Sequence, residues 1–218
     1  MTIAREIAGR SPIPLAHADT ELLAELLAAI GRSETNVTAV RDPELGVARH
    51  VLDALAGVVT IDGLPPGPLA DVGSGAGIPG IVLAIARPQR AVSLIESVGR
   101  KCRFLRETVA HLGLGIEVLE ERSETLARGA HRERYAVVCA RALAPPPIAL
   151  ELCAPLCAVG GSVLLWSNEL AVAEVVVGML GCEQAPAPPG LLRFERTTAT
   201  PARFPRRPGM AVKRPLSG

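Results

Sequence analysis

The chain has 218 residues, of which 49% are hydrophobic, and this length is enough to bury a full core as one α/β domain with a small extension. The formal net charge of +1 gives no overall attraction to nucleic acid, so any such binding must depend on a local basic patch. The N-terminus lacks the basic and apolar regions of a secretory signal, and no apolar run approaches the length of a membrane span. We therefore expect a cytoplasmic protein without a membrane partner.

Helical patterns dominate the first 62 residues, which we interpret as an N-terminal extension to a second domain at 63–218. Leucines at positions 22, 23, 26 and 27 form a stripe that predicts an amphipathic helix over 19–30. A second helix is predicted over 42–59, with Pro43 in its first turn. A polar connector at 35–41 joins the two helices.

After a linker rich in proline and glycine, short apolar runs alternate with helical patterns that begin at 79, 99, 123 and 145. The predicted strands cover 69–72, 92–96, 116–119, 135–140, 162–166 and 191–198. Repeated strand and helix units of this length predict a parallel sheet that is covered on both faces. Ligands bind such sheets at the carboxyl ends of the strands. We therefore expect one crevice to be lined by Asp71, Glu96, Arg141 and the residues near 120–124.

The segment DVGSGAGIPG at 71–80 follows the first predicted strand and contains four glycines. Glycine at such positions allows a tight turn from strand to helix and a close approach of the backbone to a ligand. Gly75, Gly77 and Gly80 match the spacing of a dinucleotide-binding loop, and Glu96, about 20 residues further on, suits a ribose diol. The segment therefore predicts a nucleotide-type site.

Two neighbouring residues distinguish between the possible ligands of this loop. A pyrophosphate requires free backbone N–H groups at the helix N-terminus and no nearby anion. Pro79 removes a donor at the predicted start of the helix, and Asp71 places a carboxylate beside the loop. These features favour a cationic ligand that carries an adenosine ribose and no phosphate, which describes S-adenosylmethionine. An NAD-dependent oxidoreductase is the rival interpretation, although the chain has no Tyr-x-x-x-Lys pair.

Five cysteines are present, an odd number without any Cys-x-x-Cys pair, which argues against a disulfide framework and a zinc site. Cys153 and Cys157 share a helical face, but no histidine or third cysteine lies near them in the sequence. We expect buried, packing cysteines and no metal site.

The C-terminal segment carries six basic residues from Arg196 onward and no acidic residue. Because prolines interrupt it, we expect it to bury little of itself and to lie on the surface near the mouth of the crevice. A solvated tail and a contact with a phosphate backbone are both open interpretations.

A set of motifs occurs in a characteristic order between 36 and 215. They are NVTAVRD at 36–42, RHVLD at 49–53, the glycine segment at 71–80, Glu96-Ser97 with Lys101 and Phe104-Leu105, Arg141-Ala142, FPRRPG at 204–209 and KRP at 213–215. Through this combination the chain resembles the RsmG/GidB family of small-subunit ribosomal RNA guanine-N7 methyltransferases. The glycine segment alone is shared by many methyltransferases, whereas the combination is much more specific.

The resemblance implies a Rossmann-like class I fold with a mostly parallel seven-stranded sheet and S-adenosylmethionine as the cofactor. It further implies methyl transfer to N7 of a guanine in the decoding-centre loop of 16S ribosomal RNA. The partner would be that RNA or the small ribosomal subunit, and we expect a monomer. A methyltransferase of a different RNA or small molecule, and a catalytically silent ribosome-binding relative, are the alternatives.

The resemblance also implies functional residues. Cofactor contacts are expected at Asp71, Gly73, Gly75, Gly77, Ile78, Glu96, Ser123, Glu124 and Arg141. Among them, Glu96 would hold the ribose hydroxyls, Ser123 and Glu124 would flank the adenine, and Arg141 would close the site beside the methyl group. From the residues themselves, RNA contacts are expected at Asn36, Arg49, His50, Lys101, Arg206, Arg207 and Lys213. Asn36 is either a turn-forming amide or a base contact, and Lys101 is either a solvated charge or a phosphate contact.

The implied chemistry needs no general base, because guanine N7 already carries an in-plane lone pair. Catalysis then depends on holding N7 in line with the methyl group and on excluding water. Arg141 could donate to guanine O6, or pair with Asp71 or a cofactor carboxylate. His50 is either a packing residue that joins the N-terminal helices to the sheet or a contact for the target base. Trp166 is either a core residue or a stacking platform.

Two segments depart from the family pattern. Gly31-Arg32 stand where members usually carry Trp-Asn, and Leu165-Trp166-Ser167-Asn168 stand where Leu-Lys-Gly usually ends the fifth strand. The missing lysine removes a positive charge near the rim of the crevice, so RNA affinity or target choice is expected to differ.

Overall fold

A seven-stranded sheet forms the centre of the computed structural model, which describes residues 2–169 and 171–217. The strands are β1 Leu69–Val72, β2 Val92–Glu96, β3 Glu117–Glu120, β4 Tyr135–Arg141, β5 Cys157–Trp166, β6 Cys182–Ala185 and β7 Leu191–Arg196. Their order is β3-β2-β1-β4-β5-β7-β6. All neighbouring pairs from β3 to β5 are parallel, and β7 is antiparallel to both of its neighbours. The predicted Rossmann-like, mostly parallel sheet is confirmed.

Helices cover both faces of the sheet. Their bounds are α1 Ile3–Arg10, α2 His17–Arg32, α3 Pro43–Gly46, α4 Asp53–Ala56, α5 Val58–Asp62, α6 Gly80–Ala86, α7 Gly99–His111, α8 Ser123–Leu126, α9 Pro146–Cys153, α10 Glu174–Met179 and α11 Met210–Lys213. A π-helical turn spans Val47–Leu52, and a 3₁₀ turn spans Ala154–Leu156. No helix among the described residues is both long and apolar enough to cross a membrane.

Successive strand residues point to opposite faces, so each strand contributes to two cores. On one face, Leu69 and Leu94 pack with α6 and with N-terminal side chains such as Leu23. On the other face, Ala70 and Ile95 pack with residues of α9, α10 and β7. All five cysteines are buried, and the predicted burial of Cys153 and Cys157 is confirmed. The N-terminal helices share a core with the sheet, and the domain division at residue 62 stays a prediction.

The predicted helix at 42–59 is wrong in its continuity. Asp42 caps α3 by accepting a hydrogen bond from the Leu45 N–H at 2.9 Å, but the chain then passes through the π-helical turn before α4 and α5. Gly57, between α4 and α5, lies against Trp166, and a Cβ there would be 2.4 Å from the indole ring. This contact with a residue of β5 has no signal in the local hydrophobic pattern.

The C-terminal segment is largely exposed, as expected, but a few buried residues attach it to the domain. Phe204 is 2% exposed, and Arg132 donates to its carbonyl at 2.8 Å. Arg196 is fully buried, and it donates to Thr200 and to the carbonyls of Cys157, Leu180 and Gly181. Arg132 therefore satisfies a backbone carbonyl of this segment, and Arg196 attaches its start to carbonyls of neighbouring elements.

Candidate cofactor and substrate cavities

The glycine segment forms a turn between β1 and α6. Gly73 and Gly77 have φ values of 72° and 84°, a region that side chains with a Cβ rarely adopt. The Gly77 N–H donates to the Ser74 carbonyl at 2.7 Å, which tightens the turn. At Gly80, the first residue of α6, a Cβ would lie 2.4 Å from Leu94 Cδ2 and 2.8 Å from Asp71 Cβ. The turn therefore needs glycine for both conformation and space.

Asp71 lies behind this turn, which corrects the interpretation that its carboxylate stands beside the ligand. The side chain is 1% exposed, and the Gly80 N–H donates to Oδ2 at 3.0 Å. Burial raises the pKa of Asp71 to about 7, against the opposing effect of the Gly80 hydrogen bond. Ile78 is also buried, as part of the hydrophobic core. Neither residue lines the cavity in front of the turn.

A cavity of ≈ 230 Å³, here called the first cavity, opens at the carboxyl ends of β1, β2 and β3. The predicted cofactor residues that line it are Gly73, Glu96, Ser123 and Glu124, and the predicted RNA contact Lys101 also lines it. Sequence reasoning missed the part of its wall that comes from Gly209 and Val212 in the C-terminal segment. The structure thus brings Glu96 and the residues 121–124 together at one cavity, as the strand-end argument predicts, whereas the expected Asp71 and Arg141 do not line it.

Glu96 is the most firmly held side chain of the first cavity. The Ser97 and Val98 N–H groups donate to Oε1 at 2.8 and 2.9 Å, and the Gly75 N–H donates to Oε2 at 3.1 Å. A carboxylate can accept about four hydrogen bonds, so Oε2 retains capacity for a hydroxyl group. This arrangement fits a ribose diol, because the carboxylate oxygens of Glu96, which would accept its hydrogen bonds, are fixed in place before any ligand arrives.

Ser123 and Glu124 begin α8 beyond the end of β3, and both are buried. Glu124 Oε1 accepts a hydrogen bond from the Gly209 N–H at 2.9 Å. The C-terminal segment is therefore attached directly to a residue that is expected to flank the adenine.

A second cavity of ≈ 520 Å³ lies beside the first, and Arg141 is one of the residues that line it. Arg141 Nη1 donates to the Arg49 carbonyl at 2.6 Å and to Asp53 Oδ2 at 2.8 Å. Its Nη2 lies 2.7 Å from His50 Nδ1. Arg141 therefore pairs with Asp53 and not with Asp71. It lines the second cavity rather than the first.

His50 connects the N-terminal region to β4. Its Nε2 lies 2.9 Å from the Val40 carbonyl, and the residue is 2% exposed. Burial lowers the pKa of His50, although the hydrogen bond with the Val40 carbonyl opposes this effect. A neutral ring with a proton on Nε2 donates to Val40 and accepts from Arg141. The Nδ1 contact thus joins the N-terminal region to the sheet, and the Nε2 contact holds the connector at Val40 within that region.

Trp166 also joins these regions, as a largely buried residue at the end of β5. Its Nε1 donates to the Asp53 carbonyl at 2.9 Å, and its ring contacts Gly57. It lines the second cavity together with Ser167 and Asn168. The interpretation of Trp166 as a core residue therefore agrees with its position.

The remaining predicted RNA contacts fall into two groups. Asn36, Arg49, Arg207 and Lys213 are exposed, and Arg49 lines the second cavity. Arg206, in contrast, forms an ion pair with the buried Glu151. The first and second cavities meet at Ala142, which follows β4 with a φ of 52° and lines both. Among the described residues, no cluster of three or more His, Cys, Asp or Glu side chains could hold a metal ion.

Comparison with known proteins identifies close relatives. The chain is 39% identical over 208 residues to ribosomal RNA small subunit methyltransferase G of Rubrobacter xylanophilus, covering 86% of this chain and 80% of that protein. The protein of the same name from a Roseiflexus species is 39% identical over 200 residues, covering 84% and 85% of the two chains. In fold, the chain is similar to a mutant of MtNAS in complex with S-adenosylmethionine, with a TM-score of 0.54, 12% identity and coverage of 82% and 73%.

The family model GidB, described as rRNA small subunit methyltransferase G, matches residues 16–182. This match covers more than half of the chain, and it includes the glycine segment, Glu96 and the Arg141 network. The chain therefore belongs to the GidB family of rRNA small subunit methyltransferases.

Proposed function

We propose that this protein transfers a methyl group from S-adenosylmethionine to N7 of a guanine in the decoding-centre loop of 16S ribosomal RNA. Family membership supports the cofactor and the RNA substrate. The observation that carries the finer proposal is the meeting of the two cavities at Ala142, between the fixed carboxylate of Glu96 and the fixed guanidinium of Arg141. A cofactor in one cavity and a base in the other would then touch at one point.

The first cavity is the proposed cofactor site. Glu96 would accept hydrogen bonds from the ribose hydroxyls, and Gly73 would let the backbone approach the ligand closely. Ser123 and Glu124 would lie beside the adenine. When bound, S-adenosylmethionine supplies an electrophilic methyl group on a sulfonium centre.

The second cavity is the proposed site of the target guanine. A guanidinium has five N–H donors, and Arg141 uses three of them on Arg49, His50 and Asp53. A remaining N–H could donate to guanine O6 and leave the N7 lone pair free. Adenine carries an amino group at the equivalent position, and that group is a donor that Arg141 would repel. The same guanidinium would thus select the base and orient it.

No residue needs to remove a proton in this reaction, because N7 attacks through a lone pair that is already present. The product ring carries a positive charge, and the carboxylate of Asp53, which pairs with Arg141, lines the same cavity. A buried, neutral His50 adds no second cation beside Arg141. The chain's contribution is therefore the orientation of N7 and the electrostatic environment of the product.

The test is to map N7-methylguanine in the small-subunit rRNA of cells that lack this protein, with and without re-expression. The proposal expects one modified guanine in the decoding-centre loop to disappear and to return. Persistence of that modification in the deletion strain would contradict it. We also propose that the protein is a cytoplasmic monomer, which fractionation and light scattering of the purified protein would check.

A further inference from the structure

The C-terminal segment 204–213 forms one wall of the first cavity. Gly209 and Val212 line this wall, and the Gly209 N–H donates to Glu124 Oε1 at 2.9 Å. The position of the wall relative to the cofactor residues therefore depends on how the segment is held on the domain.

Arg206 is the strongest side-chain anchor of this segment. Its Nε donates to Glu151 Oε1 at 2.6 Å, and its Nη2 donates to Glu151 Oε2 at 2.5 Å. Glu151 lies on α9 and is 2% exposed, and its buried carboxylate is paired with this arginine. Arg128 adds a hydrogen bond to the Pro205 carbonyl at 3.0 Å. The paired, planar contact fixes the chain three residues before Gly209.

The neighbouring basic residues are placed differently. Arg207 and Lys213 are exposed, and neither forms an ion pair with any residue that the structure describes. Their charges are free for a phosphate backbone, whereas the fork of Arg206 is already bound to a carboxylate. The basic residues of this segment therefore divide into an inner anchor and an outer charged face.

We propose that Arg206 is a positioning residue for the cofactor: through Glu151 it fixes segment 204–213 so that Gly209 and Val212 close the first cavity. Its role is thus in cofactor binding and not in phosphate contact. This inference rests on the proposed cofactor site, and it assigns different steps of the reaction to two adjacent arginines.

The test compares Arg206→Gln with Arg207→Gln, two identical changes at adjacent positions. Calorimetry gives the Kd for S-adenosylmethionine, and filter binding of 16S rRNA over a range of salt concentrations gives the Kd and salt slope for RNA. Arg206→Gln is expected to raise the Kd for S-adenosylmethionine about tenfold and to leave the RNA salt slope unchanged. Arg207→Gln is expected to leave the cofactor Kd unchanged and to lower the RNA salt slope by about 1.

A second pair of variants separates this role from a general loss of folding. The double variant Glu151→Gln with Arg206→Gln leaves no unpaired buried charge, so it keeps the fold while it loses the ionic anchor. We expect faster amide hydrogen exchange across 204–213 and a raised cofactor Kd in this variant, with unchanged exchange in the sheet. Arg206→Lys keeps the charge without the fork and is expected to bind the cofactor with intermediate affinity.

The opposite pattern would overturn the inference: an unchanged cofactor Kd in Arg206→Gln together with a lower RNA salt slope would make Arg206 a phosphate contact. A failure of the proposed function has a different signature, because the unmodified protein would then fail to bind S-adenosylmethionine. The cofactor Kd of the Arg206→Gln variant therefore tests this inference, and the cofactor Kd of the unmodified protein tests the proposed function.

Discussion

The two cavities are held by different kinds of hydrogen bond. The first cavity is held mainly by backbone groups, since three N–H donors from Gly75, Ser97 and Val98 fix the Glu96 carboxylate. The second cavity is held by side chains that meet across long stretches of sequence. Arg141 bonds to Asp53, 88 residues away, and Trp166 bonds to the Asp53 carbonyl, 113 residues away.

The two cavities are therefore sensitive to different kinds of substitution. A backbone turn packed against the core leaves no room for an added carbon atom. A hydrogen-bond network around an arginine tolerates small changes in volume, but it loses its geometry when the guanidinium is replaced. One of the two segments that depart from the usual family pattern lies at the second cavity, where Ser167 and Asn168 line the wall. We therefore expect this chain to differ from other members of the family more in substrate recognition than in cofactor binding.

The largest expected effect is on the packing behind the first cavity. In Gly80→Ala the new Cβ would meet Leu94 and the Asp71 Cβ at less than 3.0 Å, so we expect a loss of about 3 kcal/mol in the free energy of unfolding. Gly9→Ala in α1 is the matched control, because no heavy atom lies within 4 Å of its Cβ. That change should stabilise the protein by up to about 1 kcal/mol. Urea titration of both variants measures the contrast, and equal costs would contradict it.

The next effect separates the cavities by ligand. Glu96→Ala removes the acceptor for the ribose hydroxyls and should weaken S-adenosylmethionine binding by about 1 to 3 kcal/mol. Arg49→Gln changes an exposed residue of the second cavity and should weaken RNA binding without changing the cofactor Kd. Calorimetry and RNA filter binding on both variants test this division. An unchanged cofactor affinity in Glu96→Ala would show that Glu96 does not bind the ribose.

The two regions should also respond to pH in opposite directions. Asp71, behind the first cavity, has a folded pKa of about 7 against an ordinary value of 3.8, so between these values the folded state holds a proton that the unfolded chain has lost. Its contribution to stability therefore falls as pH rises. Burial lowers the pKa of His50, so its contribution is present above its ordinary value of 6.5 and is lost as pH falls from there through the lowered pKa of the folded state.

The variant Asp71→Asn isolates the first of these effects, because the Asn oxygen can still accept from the Gly80 N–H. Relative to Asp71→Asn, the unmodified protein should lose about 2 kcal/mol of unfolding free energy between pH 5 and pH 7. Urea titrations of both proteins at several pH values give this difference. A constant difference across that range would show that Asp71 ionises normally in the folded state.

Much of the first cavity is predictable from the sequence, because its residues follow strands that are read from local apolar runs. The predicted β1 and β2 have the bounds seen in the structure, and Glu96 and Ser123 lie at the strand ends as expected. The side-chain direction of Asp71 was predicted wrongly, since only the packed helix shows that Gly80 reaches its carboxylate. The short edge strand β6 carries two exposed residues and gives no clear apolar run.

The second cavity and the C-terminal segment are less predictable. The pairing of Arg141 with Asp53 and that of Arg206 with Glu151 depend on which elements are neighbours in space. The sequence shows the charges but not their partners, so it predicts a basic tail and does not reveal that Arg206 anchors the wall of the first cavity. Long-range ion pairs therefore account for the differences at Arg141 and Arg206.

The measurement that tests the division of the site most directly is the Kd for S-adenosylmethionine of Arg141→Lys beside its rate of rRNA methylation. Lysine keeps the positive charge but cannot reproduce the three contacts of the guanidinium. If Arg141 orients the guanine, the cofactor Kd stays within about twofold of the unmodified value while methylation falls at least about tenfold. A cofactor Kd raised as strongly as in Glu96→Ala would contradict the account and would place Arg141 in the cofactor site.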